Sequence, residues 1–157
     1  MTQPLHDTSH PNPARARWMS IFARASADDL QRALDGLDTV PSYEFLRRPE
    51  TGLVMVRGRA GGTGNPFNFG EMTVTRCAVR MAEGVTGQSY AAGRDTRKAE
   101  LAAVLDALMQ TDRRLALETG VVAPLADKQA EARALKSRKA AATKVDFFTM
   151  VRGDNPL

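Results

Sequence analysis

Histidine is almost missing from this chain of 157 residues: His6 and His10 are the only two, and both precede Pro11. Beyond them, a zinc site of the usual Cys/His kind and a Ser-His or Cys-His nucleophilic pair are excluded. Acid–base work near neutral pH would fall to a carboxylate or lysine of shifted pKa. Cysteine is scarcer still. Cys77 stands alone, so no internal disulfide forms, and a reducing compartment is the simplest setting. No apolar run approaches the length that spans a bilayer. The opening MTQPLHDTSHPNP lacks the apolar stretch of a signal peptide. The expected location is cytoplasmic, with no membrane contact. Aromatic residues make up only 6% of the chain, enough for a modest core. The charge excess is small, +4 from 22 basic and 18 acidic residues. It suits an anionic ligand or an acidic partner and does not demand nucleic acid.

What is present reads as one α+β domain with appendages: a disordered lead over 1–11, the domain over 12–111, and an arm with a partner-docking tail over 112–157. Asn12-Pro13 is a helix start, a capping side chain followed by proline at the first helical position. Trp18, Ile21, Phe22 and Ala25 then recur at helical spacing. Ser26, with Asp29 three residues on, caps a second helix whose stripe is Leu30, Ala33, Leu34 and Leu37. The pair is expected to fold back as a helical hairpin.

A four-stranded antiparallel meander should follow. Tyr43 and Phe45 mark its first strand, and Arg48 to Gly52 is turn chemistry. Leu53 to Val56, apolar on both faces, predicts a central strand covered on both sides. A third strand starts near Phe67, with a bulge around Gly70, and carries Thr73, Thr75, Cys77, Val79 and Met81 on one face. Burial is the expected fate of the Cys77 thiol. Glu83 to Gly87 reads as a turn, and Ser89 to Ala92 as the fourth strand. Asp95 or Thr96 then caps a packed helix with Leu101, Val104, Leu105 and Leu108 at i, i+3, i+4 and i+7. Pro124 opens a last, Ala-rich helix reaching about Thr143, with acidic residues early and basic residues late, as the helix dipole favours. It has too little apolar surface to pack tightly, hence an arm. The extended apolar tail, VDFFTMVRGD, places Phe147, Phe148, Met150 and Val151 where each is worth roughly 1.5–3 kcal/mol on burial. These four are the candidate partner-docking residues.

The stretch Val56 to Glu71, VRGRAGGTGNPFNFGE, concentrates the candidate site. Arg57 and Arg59 share one face of a strand. Gly61, Gly62 and Gly64, with Thr63 among them, leave backbone amides uncovered. Amides and guanidinium groups together can hold an anion or meet a partner; the plainer alternative is a hairpin loop with exposed arginines. Asn65-Pro66 stands where a phosphate loop needs Lys-Ser/Thr, and Phe67 where a dinucleotide fingerprint needs glycine. Arg94, beside the expected cap Asp95, is a further anion candidate. Glu71, Asp95 and Glu100 lie near these bends. No metal-ligand spacing and no nucleophile motif is present, so no catalytic residue and no metal ligand is assigned.

RWMS (Arg17 to Ser20), ETGLV (Glu50 to Val54), GGTG (Gly61 to Gly64), TRCAVR (Thr75 to Arg80), GRD (Gly93 to Asp95), AELAAVLDALMQ (Ala99 to Gln110) and VDFFTMVRGD together resemble the PhnG family. That family is the G subunit of the carbon–phosphorus lyase system of phosphonate metabolism. The resemblance implies partnership with the H, I and J subunits of a core complex and with an ATPase-like L subunit. It implies a part in the step in which methylphosphonate displaces adenine from MgATP, giving α-D-ribose 1-methylphosphonate 5-triphosphate. MgATP would be the complex's substrate, and no cofactor is expected on this chain. An accessory subunit is thus one reading. A freestanding domain that binds a phosphate or phosphonate at the glycine bend is the other.

Overall fold

The computed structural model describes residues 12–59 and 63–143. The expected lead, Gly61, Gly62 and the apolar tail with Phe147, Phe148, Met150 and Val151 lie outside these residues.

Helix α1 (Pro13–Arg24) starts as anticipated, with Asn12 Oδ1 accepting from Arg15 N at 3.0 Å. Helix α2 (Ala27–Asp35) is capped by Ser26, whose Oγ accepts from Asp29 N at 3.1 Å. The two do not form the expected hairpin; each leans on the later helix α3 (Thr96–Leu108). Ala25 and Ser26 are extended, with ψ of 160° and 157°. Both apolar stripes are thereby free to meet a third element.

That element is the centre of the molecule. Every residue from Leu101 to Met109 is buried, so α3 is covered on all sides and not along one stripe. The sheet covers one side, and α1 and α2 cover others. Asp95 caps it, accepting from Lys98 N at 2.8 Å. Small residues let the sheet approach closely. A Cβ added to Gly87 would sit 2.0 Å from the Ala103 carbonyl oxygen and 2.8 Å from the Ala107 Cβ.

The sheet is antiparallel but has three strands in the order β1-β2-β3, not four: β1 (Tyr43–Gly58), β2 (Phe67–Met81) and β3 (Thr86–Ala92). The two strands expected on either side of Arg48–Gly52 are one strand. Turn chemistry there is overridden because β1 is an edge strand. Its pairing with β2 shifts between Phe45 and Arg47 and again between Arg47 and Glu50. Pro49, which has no N–H, sits within that irregularity, where it costs no ladder bond. The turn expected at Glu83 to Gly87 is shorter. Gly84, at φ 86°, supplies its left-handed residue, and Thr86 and Gly87 already belong to β3. The bulge anticipated near Gly70 is present: Val56 pairs with Gly70 and Arg57 with Asn68, leaving Phe69 extra.

Leu53 to Val56 is not a covered central segment. Leu53 is 63% and Met55 53% exposed. The doubly apolar pattern predicts cover on both sides, yet no helix among the described residues covers Leu53 and Met55.

After α3 the chain stays helical earlier than expected. Helix α4 (Arg114–Leu117) runs through one π-helical turn, Glu118–Val122, into α5 (Ala123–Ala142). Pro124 lies in the first turn of α5 and cannot donate to a carbonyl one turn back, a common setting for a π turn. Leu117, Val122 and Leu125 anchor this end to the core, while residues 130–143 are exposed without exception.

Candidate functional site

Thr75, Cys77, Val79 and Met81 of β2 face the helices, with Gly87, Ser89 and Ala91 of β3 beside them. Beyond Val74 no described residue of β1 or β2 is buried. The paired segments 53–58 and 67–73 therefore project as a two-stranded ribbon of about 20 Å, at ~3.3 Å per residue.

Both ribbon faces are apolar. Leu53 and Met55 oppose Thr73 and Glu71 on the face that, nearer the core, the helices cover. Val54 and Val56, half-buried, oppose Met72 and Gly70 on the other. Phe67 and Phe69 are 45% and 76% exposed, with ring centroids 6.2 Å apart. Large apolar side chains so concentrated on a thin element mark an interaction surface more than a random scatter does. A lone two-stranded ribbon is marginal in water.

The arginines mark the ribbon's far end. Arg57 lies in β1 opposite Asn68, and Arg59 just past its end donates from Nη1 to the Gly64 carbonyl at 3.3 Å. Thr63 is exposed. Gly61 and Gly62, the rest of the expected cradle, fall outside the described residues. Arg94 is not with them. It follows Gly93, which is tied to the ribbon's base by Gly93 N donating to Thr73 O at 2.9 Å and Thr75 Oγ1 donating to Gly93 O at 2.8 Å. Thr73 pairs with Leu53, four residues from Arg57, or about 13 Å along the strand. The carboxylates named with these bends do not converge either. Glu71 is on the ribbon, Asp95 caps α3, and Glu100 accepts from Tyr43 Oη at 2.6 Å.

Cys77 is buried, its thiol pushed up to about 11 by burial and then by the Glu100 charge. It is not a nucleophile at neutral pH. Burial and the same carboxylate push the Tyr43 phenol up to about 12. A cleft of about 220 Å³ beside it includes Gln31, Asp35, Tyr43, Arg97 and Glu100. There Arg97 Nη2 donates to Gln31 Oε1 at 2.5 Å, so its main polar groups satisfy one another. Among the described residues, no group of three His, Cys, Asp or Glu can hold a metal ion.

Sequence reasoning missed a buried ionic cluster. Asp106, on α3 and fully buried, accepts from Arg15 Nε at 3.2 Å and Nη2 at 2.7 Å, from Trp18 Nε1 at 2.9 Å and from Gln88 N at 2.9 Å. One carboxylate thus joins α1, α3 and β3. The signal was there: an acid between Leu105 and Leu108, and a tryptophan whose N–H needs an acceptor when buried.

The model of the family described as phosphonate metabolism protein PhnG matches residues 13–153. A protein of Rhizobium meliloti (strain 1021), the alpha-D-ribose 1-methylphosphonate 5-triphosphate synthase subunit PhnG, is 43% identical over 141 residues, covering 90% of each chain. The match spans α1, the sheet and its ribbon, α3 and the arm together. This chain belongs to the PhnG family of phosphonate-metabolism proteins.

Proposed function

We propose that the chain is a non-catalytic subunit of an α-D-ribose 1-methylphosphonate 5-triphosphate synthase. It acts in the cytoplasm with the H, I and L subunits in the step in which methylphosphonate displaces adenine from MgATP. It sits with the H, I and J subunits in one assembly. The observation that carries this reading is the uncovered ribbon: Leu53, Met55, Phe67, Phe69 and Met72 are exposed together on an element that the domain does not cover. The relative's name gives the reaction. The chemistry of the chain fits a supporting role, since the described residues hold no imidazole and a single, buried thiol. The tail residues Phe147, Phe148, Met150 and Val151 are a second docking segment in this reading.

The freestanding alternative would hold a phosphate at the glycine bend alone, and Arg94, about 13 Å away along the strand, would add nothing to that site. One experiment decides between them: adenine release from ATP and methylphosphonate by the reconstituted subunits, with and without this chain. Release is expected only when it is present. An unchanged rate on omission, or tight ATP binding by the isolated chain in calorimetry, overturns the proposal.

A further inference from the structure

Edge strands present unpaired backbone groups, and natural sheets blunt them with proline, bulges or inward charges. Strand β1 is treated this way over only part of its length. Its first half has two register shifts, and Pro49 lies within the second. From Glu50 to Val56 the register with β2 is unbroken, and no proline or bulge interrupts it. Among the described residues nothing pairs with the other side of that segment. The unprotected segment coincides with the apolar one, where Leu53 and Met55 alternate with Val54 and Val56. A row of amide and carbonyl groups 3.3 Å apart per residue is complementary to one thing, another extended backbone.

Charge narrows the choice of backbone. The ribbon carries Arg57 and Arg59 against one carboxylate, Glu71, and neither arginine has an ion pair among the described residues. Nearby Glu50 is already engaged by Arg76 Nε at 2.7 Å and Arg47 Nη1 at 3.2 Å. A second copy of this strand would double the arginines at the joint. The chain's own tail leaves from α5, which is packed on α1 and the π turn and not on β1.

We propose that the Gly52–Val56 edge of β1 receives a strand from another subunit of the synthase, with apolar side chains on both faces and a carboxylate beside Arg57 and Arg59. This rests on the subunit reading above. The added strand lengthens the sheet, and its side chains cover Leu53 and Met55 on one face and Val54 and Val56 on the other.

Hydrogen exchange of the full chain, alone and in the reconstituted assembly, tests it. Peptides spanning 52–58 are expected to exchange roughly tenfold or more slowly in the assembly. Arg57→Glu with Arg59→Glu is expected to weaken assembly about tenfold and to leave the melting of the lone chain unchanged. Unchanged exchange in a formed assembly overturns the added strand and leaves the subunit reading standing; failure of the wild-type chain to assemble overturns both. Slow exchange already in the lone chain also overturns the proposal. If that protection is concentration-dependent, a second copy is the occupant; if it is lost on deleting residues 144–157, the tail is. Unaltered assembly by the charge-reversed variant removes the carboxylate from the partner strand.

Discussion

A carboxylate taken wholly out of water is tolerated only when its oxygens are all engaged, and the four donors on Asp106 do this. One of those donors, Trp18 Nε1, is buried, whereas Arg15 keeps 27% of its side chain exposed and can rehydrate. Replacing Asp106 by alanine should therefore cost about 3 kcal/mol, the low end for breaking a buried pair. Asp106→Asn keeps the shape and should cost less, about 1–2 kcal/mol. Urea unfolding reads both, and a loss under ~1 kcal/mol for the alanine variant would mean that the cluster is not holding α1 to the sheet. Single-residue readings were legible where chemistry is local. The caps Asn12 and Ser26, Asp95 as one of two cap candidates, and the burial of Cys77 follow from nearest neighbours. Gly87 was not legible, because its glycine serves the approach of α3, sixteen residues away, and not the turn beside it.

Elements were readable as far as periodicity carries them, and misjudged where tertiary position overrides it. The Arg48–Gly52 stretch has every mark of a turn, yet at a sheet edge a proline within a bulge costs nothing, so the strand runs through. The apolar run at Leu53 predicts a covered central strand, but the segment lies on an edge strand with Leu53 and Met55 exposed; an apolar pattern does not by itself say what covers it. Helix α5 is the reverse case: its lack of a stripe already gave an exposed element. Its attachment to the body is partly ionic. Lys128 Nζ lies 2.9 and 2.7 Å from the two oxygens of Asp29 on α2, which Arg32 also contacts. Hydrogen bonds from Lys128, then from Ser26, hold Asp29 down at about 2, against 3.8 for a free carboxyl. A lowered folded pKa means that the unfolded chain takes up the proton first. The contribution is whole above 3.8 and is lost as pH falls through about 2. Lys128 and Arg32 are well exposed, so the contribution is on the order of 1 kcal/mol. Lys128→Ala should flatten the stability profile between about pH 5 and about pH 2 relative to wild type. Parallel profiles for the two proteins would show that this ion pair does not tie α5 down.

At the scale of the whole molecule, the chain divides its apolar residues between a core it closes and surfaces it leaves open. The core runs from Trp18 to Leu125 around α3. Outside it stands the ribbon, while the Phe147-Phe148 tail lies outside the described residues. The last fourteen described residues, 130–143, are exposed and mostly helical, and extend about 20 Å at 1.5 Å per residue. Hence the tail and the domain should be separable. Deleting the chain from Val145 onward is expected to leave the thermal midpoint of the lone protein within about 2 °C of wild type, because a surface change is worth no more than roughly 0.5 kcal/mol. The same deletion should abolish co-purification with the other subunits, since it removes four large apolar side chains from the joint. Both readings come from one preparation. A truncated chain that still co-purifies would confine docking to the ribbon, and one that melts well below wild type would mean that the aromatic pair belongs to the chain's own core.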